Sequence, residues 1–169
     1  TETVSETDGN ASVNETYAGH VISAEIAVPT KTSLGAEEDG MFPVVWSEGD
    51  EIAAIANKGA DQKVSVYRLQ GQGGESTGTF EYVSGDADPA NIRDLVYPAS
   101  AVEASSVPAE QVYVAGSFDP AAALMSWHSD EGLASGVVFS HDYSVICLQL
   151  DGDESISSIK ATVDGKEYT

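Results

Sequence analysis

The feature that most constrains this chain is a two-residue alternation of apolar and polar side chains, repeated in short segments that turn residues cut off. Ile22, Ala24, Ile26 and Val28 alternate with Ser23, Glu25 and Ala27 until Pro29 ends the run, the period of a half-buried strand. Residues 63–70 set Val64 and Val66 against Tyr67 and Leu69, and residues 79–83 point Phe80 and Tyr82 the same way. Further extended runs fall at 43–46, 51–57, 94–97, 112–115, 136–139, 143–150 and 158–163. Ser47-Glu48-Gly49-Asp50 reads as a turn that makes a hairpin of 43–46 and 51–57, and Asp164-Gly165 as a two-residue hairpin turn launching a short returning strand. Only residues 120–127 read as helical, with Asp119 as cap, Pro120 in the first position and good helix formers from Ala121 to Met125. About ten short strands with one short helix predict an all-β sandwich or barrel. Residues 1–15 are polar and contain no Lys or Arg, so they read as a flexible leader ahead of a single domain at 16–169.

Charge narrows the function classes. Seven Lys and Arg face 28 Asp and Glu in 169 residues, a formal charge of −21. Nucleic-acid binding needs a basic face and an anionic membrane surface would repel such a chain, so both are disfavoured as partners. Cys147 is the only cysteine, which excludes an internal disulfide and a zinc quartet, and Ile146 and Leu148 beside it favour a buried structural thiol. No stretch approaches the roughly 20 apolar residues of a membrane helix. Thr1 in place of Met suggests a removed leader, with which an exported, processed protein is compatible.

Several patterns carry possible chemistry, and each has a plainer reading. Gly74-Glu75-Ser76-Thr77-Gly78 matches the nucleophile-elbow pattern, but an elbow needs a strand before the serine and a helix after it, whereas Gly-rich sequence precedes and an alternating run follows. The acidic groups 37–39, Glu48/Asp50/Glu51, Asp86/Asp88 and Asp151/Asp153/Glu154 offer calcium-ligand chemistry, yet none completes a calcium loop and all suit solvated turns. Two carboxylates from different groups would also serve a glycosidase, a pairing that no sequence spacing tests. His20, His128 and His141 lack metal-ligand spacing and favour turn and surface roles. Trp46 and Trp127 are candidates for sugar stacking, although a strand-borne Trp such as Trp46 is more often core. Asn10-Ala11-Ser12 and Asn14-Glu15-Thr16 match glycosylation sequons. No catalytic residue, metal or cofactor is expected.

Taken in order, several segments resemble the fimbrillin family of Bacteroidales, subunits of type V pili and related surface lipoproteins. They are Thr30-Lys31-Thr32-Ser33-Leu34, then Phe42-Pro43-Val44-Val45-Trp46-Ser47-Glu48-Gly49-Asp50-Glu51-Ile52 with the family's Trp-x-x-Gly-Asp-x-Ile hallmark, Tyr97-Pro98-Ala99-Ser100, Asp119-Pro120-Ala121-Ala122, and Val138-Phe139-Ser140-His141 leading into 146–150. The resemblance implies a transthyretin-like Greek-key β-sandwich with one short helix. It also implies the N-terminal domain of a longer two-domain chain, and export as an outer-membrane-anchored lipoprotein of the cell surface. The function it implies is that of a non-enzymatic structural or adhesion protein, a pilus subunit or anchor-like component. In polymerising members a trypsin-like protease removes the first strand after a basic residue, and a strand from the next subunit fills the groove. The matching positions are the strand bearing Ile22, Ala24, Ile26 and Val28, and the basic residue Lys31.

The physics of such exchange is independent of the family. Losing that strand would open an apolar groove beside an unpaired backbone edge, and a donated strand restores both. Each large side chain re-buried is worth about 1.5–3 kcal/mol. Partners would be other subunits, or a second copy, with host or bacterial surface ligands in an adhesive role and the membrane reached only through an N-terminal lipid. The competing reading is a secreted β-sandwich module that binds glycan or protein, with calcium at an acidic turn.

Overall fold

The computed structural model describes residues 13–27, 33–34, 44–59, 61–102, 106–108, 110–112, 119–143, 161–163 and 166–168. The strands among them are β1 (Val21–Ile26), β2 (Ser33–Leu34), β3 (Val44–Val45), β4 (Glu51–Ala56), β5 (Lys63–Leu69), β6 (Thr77–Gly85), β7 (Ile92–Tyr97), β8 (Met125–His128), β9 (Val137–His141), β10 (Ala161–Val163) and β11 (Lys166–Tyr168). Seven of these close into a barrel in the order β1, β6, β5, β4, β7, β8, β9, with β9 returning to β1. β2 pairs with β3, and β10 with β11, as separate two-stranded ladders. The last pairing sets Val163 opposite Lys166, the returning strand that Asp164-Gly165 predicts.

Parity governs the ring. Strands that reverse direction at every step need an even number to close, so a seven-stranded ring must contain a parallel pair. That pair is β1 beside β9, with Ala24 opposite Val137 and Ile26 opposite Phe139. The other six pairings are antiparallel.

The closed barrel corrects the transthyretin-like Greek-key β-sandwich expected for 16–169; the all-β class stands. Inward and outward side chains alternate identically in two stacked sheets and in one curled sheet. The difference lies in whether the outer edges find each other, a long-range pairing that no local pattern encodes. The expected helix at 120–127 is corrected as well. Asp119 does act as a cap, its Oδ1 accepting the Ala121 N–H at 2.9 Å, but the helix is a 3-10 turn confined to Pro120–Ala122. Beyond it Met125 is buried and pairs with Tyr97, so the chain is drawn into β8. The backbone N–H groups of Val112 and Ala121 hold the Asp119 carboxyl below its ordinary value. The 47–50 turn forms, with Asp50 N–H donating to Ser47 O at 3.0 Å, but it does not make a hairpin: β3 pairs with β2, and β4 with β5 and β7.

Side chains fill the interior. Trp46, 1% exposed, sits at the centre with Phe80, Tyr97 and Phe139 edge-on at ring-centroid distances of 4.9, 5.5 and 5.6 Å. Inward residues of each strand complete the packing, among them Ile22, Ala24 and Ile26 of β1 and Tyr67 and Leu69 of β5. Gly78 faces the tryptophan because nothing larger fits: a Cβ there would lie 2.6 Å from Leu69 Cδ1 and 3.1 Å from Trp46 Cδ1.

Candidate functional site

The strand singled out by sequence occupies the closing position. β1 buries Ile22, Ala24 and Ile26 inward and exposes Val21, Ser23 and Glu25, a clean period of two. On one side it pairs with β6 from Val21–Glu81 to Glu25–Thr77, and on the other with β9 over three residues. Its exit is also tied, since Ile26 N–H donates to Ser76 O and Ala27 N–H to Phe139 O, both at 2.9 Å. Val28 and Lys31 lie outside the described residues, as do Cys147 and the acidic groups 37–39 and 151–154.

The approach to β1 is anchored at one end of the barrel. Asn14 caps a 3-10 turn, Glu15–Tyr17, and its backbone N–H donates to the Tyr82 hydroxyl at 2.8 Å. Tyr17 meets the Tyr82 ring edge-on at 6.0 Å, and His20 Nδ1 lies 3.1 Å from the Tyr67 hydroxyl. Burial lowers the His20 pKa and raises that of Tyr67 well beyond the ordinary phenol range, so burial favours the neutral form of both.

Two segments that carry the family resemblance meet in space. Asp50 Oδ2 accepts the Ser47 N–H at 2.7 Å, and its Oδ1 accepts the Tyr97 hydroxyl at 2.9 Å. Gly49 takes φ +83°, a conformation in which a side chain would be strained, to bring Asp50 back over the turn. The Trp-x-x-Gly-Asp-x-Ile pattern is thus a structural device here. Its Trp46 and Ile52 fill the core, and its aspartate fastens the turn to β7. Burial raises the Asp50 pKa against the lowering effect of those two donors, and burial likewise raises Tyr97 far above the ordinary phenol range.

The remaining patterns resolve individually. Ser76 precedes a strand, β6, and its carbonyl is taken by Ile26, so the 74–78 pattern has no helix behind it. Glu51 pairs with Arg68 at 2.7 Å, Asp86 with Lys63 at 2.7 Å, and Asp88 caps the 3-10 turn Pro89–Asn91. Among the described residues no three His, Cys, Asp or Glu side chains gather to hold a metal ion, and no helix is long and apolar enough to cross a membrane. His141, expected in a surface turn, ends β9 with its Nε2 buried and without a hydrogen-bond partner among the described residues; burial holds its pKa down against the opposing pull of Asp142.

One cluster escapes the sequence reading. His128, expected in a loop, is the last residue of β8 and lies directly across from Asp94 of β7. Asp94 is 8% exposed; its Oδ1 accepts from Lys58 Nζ at 3.2 Å and lies 3.0 Å from His128 Nδ1. With Asn57, Arg93 and Trp127 these residues line a surface hollow of about 650 Å³. The available signal was Asp94 itself, which with Arg93 places two charges among the apolar residues Ile92, Leu95, Val96 and Tyr97. Compared with protein-family models, with curated proteins and with solved structures, the chain matches none.

Proposed function

We propose that this chain is a non-enzymatic cell-surface structural or adhesion protein, a fimbrial subunit or anchor-like component that joins its partners by exchange of β1. The observation that carries this reading is that one six-residue strand supplies both closing seams of the barrel, antiparallel to β6 and parallel to β9. Departure of β1 would bare two backbone edges and the pocket of Ile22, Ala24 and Ile26 together, a state that water penalises and a strand from another subunit relieves. The fimbrillin-like segments support the same reading. Trp46 and Asp50 of one segment meet Tyr97 of another, some 50 residues along the chain, in one packed and hydrogen-bonded unit. The barrel itself departs from the sandwich that the resemblance implies, so the family remains a proposal resting on these segments.

Trypsin cleavage after Lys31, located by mass spectrometry, tests it. Light scattering should show the nicked monomer growing into higher oligomers, and excess synthetic peptide spanning residues 17–28 should stop that growth. Nicked protein that stays monomeric at high concentration and takes up no peptide refutes strand exchange.

A further inference from the structure

The geometry points to a binding site for a neutral saccharide in the hollow on β7 and β8, a site that does not depend on strand exchange. Two backbone features converge there. β4 and β7 slip register between Ile55 and Ala56: Ile55 faces Asp94 and Ala56 faces Ile92, which leaves Arg93 as the extra residue of a bulge. Bulges re-aim side chains and concentrate at functional sites. At the end of β4, Asn57 adopts φ +51°, the only non-glycine residue with positive φ among those described. Such a conformation costs free energy and clusters where a site needs it.

The side chains brought together have hydrogen-bonding capacity to spare. Asp94 Oδ1 is engaged twice, while its Oδ2 makes no hydrogen bond among the described residues. Arg93 spends Nη1 on the carbonyls of Ala90 and Ile92, at 3.0 and 2.8 Å, leaving Nε and Nη2 without partners among the described residues. The Asn57 amide likewise has none. A carboxylate oxygen, a planar guanidinium and an amide match the vicinal hydroxyls of a sugar, which both donate and accept. Trp127, partly buried against the core, adds an aromatic surface for the apolar face of a pyranose. The hollow, about 650 Å³, is of ligand-pocket size.

Charge selects the neutral class. Lys58 and Arg93 balance Asp94 and Asp130 at the hollow, so it presents no net positive field, while the formal charge of −21 repels anions from a distance. Position makes the site useful to a fibre subunit. In the ring, β7 lies three strands from β1 through β9 and β8, and β4 lies three strands away through β6 and β5, so the hollow is on the far side from the exchanged strand.

Saturation-transfer NMR with methyl glycosides of galactose, glucose, mannose and N-acetylglucosamine, beside glucuronic and galacturonic acids, tests the assignment. Transfer to at least one neutral glycoside is expected, falling at least tenfold in affinity in Trp127→Ala. Asn57→Gly removes the amide while suiting the positive φ, so it should keep the wild-type melting temperature and still weaken binding about threefold or more. Glu25→Ala, on the opposite side, should leave binding unchanged. Absence of transfer, preference for the uronic acids, or transfer unaffected in a folded Asn57→Gly protein overturns the site. None of these results bears on the oligomers formed after cleavage at Lys31, so the two readings fail separately.

Discussion

Replacing Tyr97 with Phe isolates one buried hydrogen bond. The ring stays, so its packing against Trp46 is kept and no cavity forms; only the hydroxyl that donates to Asp50 Oδ1 at 2.9 Å is lost. A hydrogen bond to a charged group contributes about 1.5–3 kcal/mol, and Tyr97 is 2% exposed, so little water replaces it. For a chain of this length that corresponds to roughly a 3–12 °C fall in Tm. The pH dependence gives a second reading. Burial holds the folded-state pKa of Asp50 above its ordinary 3.8, so this carboxyl's contribution to stability is full below 3.8 and is lost as pH rises through the folded value. Loss of the Tyr97 donor, which acts to lower that value, should extend the declining window to higher pH. Urea unfolding at a series of pH values measures both. A Tyr97→Phe protein within about 0.5 kcal/mol of wild type at pH 7, with the same pH profile, would refute the reasoning.

Ile26→Ala should cost about 2–5 kcal/mol because the side chain is fully buried, whereas Glu25→Ala on the outer face of the same strand should stay within about 0.5 kcal/mol, both read by chemical denaturation. Burial lowers the His141 pKa, so its share of stability is complete above 6.5 and is lost as pH falls through the folded value; His141→Gln should flatten that part of the profile relative to wild type. Gly78→Ala should destabilise by about 1–3 kcal/mol, since the added methyl meets Leu69 and Trp46, and calorimetry will report it. Arg68→Ala removes an exposed pairing with Glu51 and should change stability by no more than about 1 kcal/mol.

The alternating residues of β1, β5 and β6 made the strands legible in the sequence, because period two depends only on nearest neighbours; in β5, with apolar residues on both faces, the pattern left open that Ser65, Tyr67 and Leu69 are the buried side. Met125 and Trp127 misled for the same reason: next to a well-capped turn they read as helix, and only pairing with Tyr97 and Leu95 on a distant segment makes them strand. Curvature was invisible, since it is decided where β1 meets β9, with partners 113 residues apart along the chain. Asp94, Arg93 and Asn57 were passed over because a bulge and a positive φ are properties of the folded backbone, and the residues carrying them are ordinary surface types. Lys31 and Val28 lie outside the described residues, so for the proposed exchange of β1 the residues come from the sequence and the barrel supplies only the position of the strand.

The chain holds two tryptophans, and the fold places them in unlike surroundings: Trp46 is sealed among three aromatic rings inside the barrel, and Trp127 stands half open beside the hollow. Their fluorescence therefore divides by location, blue and insulated for the first, redder and open to quenchers for the second. With each replaced in turn by Phe, one indole reports whether the interior has been breached and the other whether the outer face is occupied, two independent optical channels built into a single molecule.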